Sequence, residues 1–302
     1  MMKTIVLIAV IFSASMVYGE ETSSDTKQAA TSNQLYAKGI PEKGFLTLKT
    51  ENYAVPMDAA SGWTIEKLEF RDDTFSLNNG HYGTVLRPKA GQWWGTGHTE
   101  GGREVVHRLK LIVDGQEVPI IIGETVSGKR VQLIKESTIW KFKVRAEVVI
   151  NNDHVIERTT LESLEDCQTD LIYYFMHCFG PTTTKWIARL PDGAIEQGPL
   201  NAAGGMKLSK NSTWVAQFDP TKQIGILCYT PQVISGSGST SMIWDLDRYH
   251  KYYLRQNNGQ SFKKGDKLDY TVIVKAVPGE DGDWKKTRDA ARHLLTLYPP
   301  TK

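Results

Sequence analysis

The chain has 302 residues, 40% of them hydrophobic and 23% charged, with 26 Gly, 12 Pro and only 3 Cys. This composition excludes collagenous, intrinsically disordered and disulfide-stapled classes and leaves a globular protein with a substantial core. Lys plus Arg number 36 against 34 Asp plus Glu, a formal charge of +2. No basic block is long enough to track a phosphate backbone, so nucleic acid is not an expected partner.

In chain order, Lys3 precedes the apolar run Thr4 to Phe12, the length of a secretory core segment and short of the roughly 20 residues a bilayer span needs. Val17 and Gly19 suit the small-residue positions of a cleavage site. Residues 1–19 are therefore expected to be a signal peptide, 20–34 a flexible polar leader and 35–302 a single domain. The expected location is secreted or periplasmic, with no membrane span after cleavage.

From there the period is two rather than 3.6. Strands are expected at Phe45–Tyr53, Trp63–Phe70, Val105–Val113, Val118–Ile122, Ile139–Ile150, Val155–Leu161, Leu171–Phe179, Trp186–Leu190, Trp214–Phe218, Ile224–Tyr229, Tyr249–Arg255 and Leu268–Val277. In the clearest, Trp140, Phe142, Val144, Val148 and Ile150 should share a buried face while Lys141, Lys143, Arg145 and Glu147 point away. Turn sequences such as Asp114-Gly115, Pro191-Asp192-Gly193 and Asn257-Asn258-Gly259 join neighbours as antiparallel hairpins. One helix is expected, Trp284 to Leu295 capped by Asp283. Cys167, Cys178 and Cys228 read as buried small hydrophobes or as one bridge, Cys178 to Cys228, plus a free thiol. The fold class that follows is all-β, a large antiparallel two-sheet sandwich with a C-terminal helix.

Three segments concentrate chemistry. Arg87 to His107 holds Arg87, Trp93, Trp94, His98, Glu100 and Arg103 among five glycines, which reads first as a binding or catalytic loop and otherwise as a hairpin loop whose indoles close the core. In Tyr173–Phe179, alternation groups Tyr173, Phe175 and His177 on one face and Tyr174, Met176 and Cys178 on the other. His177 is then an acid or base if its face is open, or a core histidine if not. In Trp244–Tyr253 aromatics alternate with charges, as in a sugar-lining strand, where rings stack on pyranose faces and charges meet hydroxyls, or in any half-exposed strand. His98, Glu100 and His107 offer zinc-type donors without metalloprotease spacing, so no metal or other cofactor is expected. No Gly-x-Ser-x-Gly elbow is present for nucleophilic hydrolysis.

Over residues 40 to 280 the layout resembles the galactose mutarotase-like superfamily. Gly-x-His98-x-x-Gly-Gly is similar to its His-Gly-Gly turn, Phe175-Met176-His177 to its mid-chain histidine strand, and Phe262 to Ile273 to its closing hairpin. The late-strand catalytic Glu of true mutarotases has no counterpart. The resemblance implies a carbohydrate ligand and, for an exported chain, a polysaccharide lyase acting on a uronate glycan by proton abstraction and β-elimination. A sugar mutarotase or epimerase and a non-catalytic carbohydrate-binding envelope protein are the alternatives. In the lyase scheme Arg103 or Arg87 neutralises the carboxylate, His98 or His177 is the base and Tyr249 the acid, with Trp93, Trp94, Trp186 and Trp244 as stacking platforms and Glu100 beside the substrate.

Overall fold

A computed structural model describes residues 35–95, 104–201, 204–232 and 239–300. An eleven-stranded sheet runs, in spatial order, through Leu35–Tyr36, Glu104–Val113, Arg130–Ile139, Phe142–Asn151, Val155–Ser163, Lys267–Pro278, Ile224–Tyr229, Trp214–Asp219, Lys185–Arg189 and Ile195–Pro199, with Gln116–Val118 pairing off Glu104–Val113. An eight-stranded sheet is built around Cys167–Phe179 and Tyr249–Gln256, flanked by Ser239–Leu246 and Met206–Lys210 on one side and Val85–Pro88 and Trp94–Gly95 on the other. A six-stranded sheet centres on Phe45–Lys49 and Tyr53–Asp58. Nearly all pairings are antiparallel; Leu35–Tyr36 on Glu104–Val113 and Thr125–Ser127 on Phe45–Lys49 are parallel.

Where the helix covers it the larger sheet is buried on both faces, and this explains why Trp214–Asp219 and Ile224–Tyr229 read as near-continuous apolar runs. Its inner face, with Val144, Ile150, Leu161, Val272 and Cys228, shares one core with Leu46 and Val55 of the six-stranded sheet and Phe175, Tyr252 and Leu254 of the eight-stranded one. Its outer face, with Val149, Ile156, Leu227 and Ile273, is covered by Trp284, Ala291 and Leu294 of the helix.

Two expected elements change form. The run Ile139–Ile150 is not one strand: Trp140, at φ 52°, and Lys141 form a two-residue turn between Arg130–Ile139 and Phe142–Asn151, with Ile139 opposite Phe142. A two-residue turn puts Ile139 and Phe142, three residues apart, on the same face, so the inward positions are odd before the turn and even after it. Phe142, Val144 and Ile150 are buried as expected, whereas Trp140 and Val148 are only partly buried. The helix spans Lys285–Leu297 with Trp284 in left-handed conformation before it. Asp283 accepts from the Lys285 N–H at 2.7 Å, but the deeper cap is Glu280. That buried carboxylate accepts from the N–H groups of Trp284 and Thr287, both at 2.9 Å, and from the Thr287 hydroxyl at 2.8 Å. All three cysteines are buried and free, so there is no Cys178–Cys228 bridge.

Candidate ligand-binding face

Tyr249–Gln256 alternates strictly. His250, Tyr252, Leu254 and Gln256 are buried, and Tyr249, Lys251, Tyr253 and Arg255 stand half-exposed on the opposite face. The neighbouring strand Cys167–Phe179 does not keep its alternation. A bulge between Tyr173 and Phe175 leaves Tyr173 outward, opposite Arg255, and turns Tyr174 inward, where its hydroxyl donates to Gln256 Oε1 at 2.6 Å. Beyond it the parity is reversed: Phe175, His177 and Phe179 turn inward and Met176 and Cys178 outward.

That bulge corrects the reading of His177. It lies with Phe175 and Phe179 in the core, its ring stacked on Phe175 at 3.8 Å between centroids, and has no solvent-exposed surface. Its Nε2 lies 2.8 Å from Glu157 Oε1 on the opposing sheet. Burial holds the imidazole well below its usual range and lifts the Glu157 carboxyl to about 8. The residual 16% exposure of the Glu157 side chain opens on a cavity of about 40 Å³ that Lys135, Tyr174 and Tyr270 also line, room for water but not for a sugar. His177 is thus enclosed and cannot meet a glycan on the outer face.

The outward side chains form an unbroken chain of ring and cation contacts. Arg87 lies 5.3 Å over the Trp93 ring, Trp93 stacks on Tyr173 at 5.7 Å and 7°, and Tyr173 meets Tyr253 at 5.2 Å. Lys251 then lies 5.4 Å over Tyr253 and 5.1 Å over Tyr249, and Arg248 covers Tyr249 at 5.4 Å. Each such contact contributes about 0.5–2 kcal/mol and fixes the orientation of a long side chain that would otherwise be free. Burial raises the Tyr173 phenol, an effect that the charge and hydrogen bond of Arg255 and the charge of Arg87 oppose. Beneath Lys251, burial likewise raises the Cys178 thiol, so neither group is an activated base or nucleophile. Asp170, 3.8 Å from Arg87, is the acid paired with this set.

Of the residues singled out from the sequence, Arg87, Trp93 and Tyr249 belong to this chain of contacts, and Trp244 borders it as the cross-strand neighbour of Lys251. Trp94 packs partly buried against the shared core, and Trp186 is buried on the eleven-stranded sheet. Neither is a platform on this face. His98, Glu100 and Arg103 lie outside the described residues. Tyr173, Lys251, Tyr253 and Arg255 complete the face. Lys251 and Tyr253 were legible in the alternation of their strand, Tyr173 was hidden by the bulge, and Arg255 needed the pairing with Tyr173.

No family model matches the chain, and no curated protein matches it. Among solved structures it is similar to a galactose mutarotase-like protein from Lactobacillus casei ATCC 334, at 8% identity and TM-score 0.48 over 77% of this chain and 100% of that one. A galactose mutarotase related enzyme from Lactobacillus acidophilus gives 10% and 0.44 over 78% and 98%. A GH36 α-galactosidase from Geobacillus stearothermophilus gives 12% and 0.47 over 76% and 39%.

Proposed function

We propose that this chain is an exported protein that binds acidic carbohydrate on the outer face of its eight-stranded sheet. The observation that carries this reading is the continuous Arg87–Trp93–Tyr173–Tyr253–Lys251–Tyr249–Arg248 contact chain. Its rings suit the C–H faces of pyranoses, and its cations suit carboxylates or sulfate esters. Binding, rather than the lyase chemistry implied by the resemblance, is the reading supported best. Of the two bases in the lyase scheme, His177 is enclosed and His98 lies outside the described residues.

Calorimetric titration of the purified protein with a uronate oligosaccharide and with a neutral oligosaccharide of equal length tests the proposal. Saturable binding of the acidic ligand alone is expected. Tyr173→Ala and Arg255→Ala should each weaken it about tenfold, the effect of losing one charge-assisted or stacking contact. Equal affinity for the neutral ligand, or no binding of either, overturns it. Growth of an unsaturated-uronate absorbance during the same incubation restores the lyase reading.

A further inference from the structure

The outward cations fall into two groups rather than one. Arg87 and Arg255 gather around Trp93 and Tyr173: Arg87 covers Trp93, Trp93 stacks on Tyr173, and Tyr173 is the cross-strand partner of Arg255. Lys251 and Arg248 gather on the ring of Tyr249, with Trp244 across the strand from Lys251. Tyr253 joins them, touching Tyr173 at 5.2 Å on one side and lying 5.4 Å under Lys251 on the other. Lys251 and Arg255 are four residues apart on one extended strand, and at about 3.4 Å per residue their backbones are separated by about 14 Å.

A separation of that size exceeds what a single sugar ring with one acidic group can bridge, and the ring of Tyr253 occupies the interval as an apolar floor. Resting on the acidic-carbohydrate reading of this face, we infer that the ligand is an oligomer lying along Tyr249–Gln256. One acidic group would be held by Arg255 together with Arg87, whose Nε lies 3.8 Å from Asp170 and leaves the rest of the guanidinium to the ligand, another at Lys251 and Arg248, and an intervening ring would lie on Tyr253. The floor is stiff for a physical reason. Lys251 and Arg255 project from a strand paired on both sides, with Ser239–Leu246 and Cys167–Phe179, so the spacing of the two groups is fixed before ligand arrives. A preset spacing converts the second contact into an intramolecular one, and the gain appears only when the ligand is long enough to reach both.

The experiment is an affinity series at low ionic strength with a monomeric hexuronate, then the dimer, trimer and tetramer of the same uronate, and a neutral tetramer as control. Affinity should step up about a hundredfold at the length that first spans both groups and change little beyond it. Lys251→Met keeps the alkyl stem over the two rings and removes the charge. It should cost the tetramer at least about tenfold more than it costs the monomer. Arg248→Gln should act in the same direction, and unchanged melting temperatures establish that both variants fold. If monomer and tetramer bind equally well, or Lys251→Met weakens both alike, the two-group inference fails while the acidic-carbohydrate reading stands. If no uronate of any length binds, that reading fails with it.

Discussion

Replacing Glu157 by Gln should flatten the dependence of stability on pH between about 6.5 and 8. The carboxyl of Glu157 is raised to about 8 from an ordinary 4.5, and His177, 2.8 Å away, is held well below its ordinary 6.5. Folded, the pair therefore keeps one proton across neutral pH, shared between Oε1 and Nε2. Unfolded, the two side chains together hold two protons below 4.5, one between 4.5 and 6.5, and none above. Between 4.5 and 6.5 the counts match, and the pair adds no slope. Between 6.5 and 8 the folded state holds one proton more, so stability falls as pH rises; above 8 the last proton leaves and the loss is complete. Over about 1.5 pH units at 1.36 kcal/mol each, the loss is about 2 kcal/mol. His154, which burial also holds low, adds slope only below 6.5 and leaves this window clean. Urea midpoints measured from pH 6 to 8.5 on the natural protein and on Glu157→Gln, whose amide cannot titrate, give the comparison directly. Parallel curves, or a natural protein that gains stability toward pH 8, would refute the shared-proton account.

Lys135 and Glu104, 3.0 Å apart and both almost wholly enclosed, form a second buried pair. Lys135→Met should cost about 3–5 kcal/mol in a denaturant melt because it removes the cation beside the buried Glu104 carboxylate, and Lys135→Met with Glu104→Leu should recover much of that loss. Glu280→Gln should lower stability by about 2–3 kcal/mol through weakened hydrogen bonds to the first helical turn. Hydrogen exchange of the amides of Trp284 and Thr287 should accelerate with it, and unchanged protection there would show that another group caps the helix.

Much of the architecture is legible in the residue order because period-two alternation and turn chemistry act over a few residues. Tyr249–Gln256 discloses both of its faces without any tertiary contact, and the all-β class with one terminal helix follows from the same local signals. The hairpin at Trp140-Lys141 escaped the same test because Trp140, a turn residue, falls in step with Phe142 and Val144, and within Ile139–Ile150 only Ile139 carries the shift of parity. Glu280 escaped because a cap four residues before Trp284 depends on how the chain doubles back. Tertiary structure alone decided the side chains around Tyr173. One inserted residue in Cys167–Phe179 sends Tyr173 to Arg255 and His177 to Glu157 on another sheet, and no local pattern records a bulge whose cause is pairing with strands some eighty residues away in either direction. The residue types needed for a ligand face were set by the sequence; which of them share a face was set by register, a property of two strands that neither carries alone.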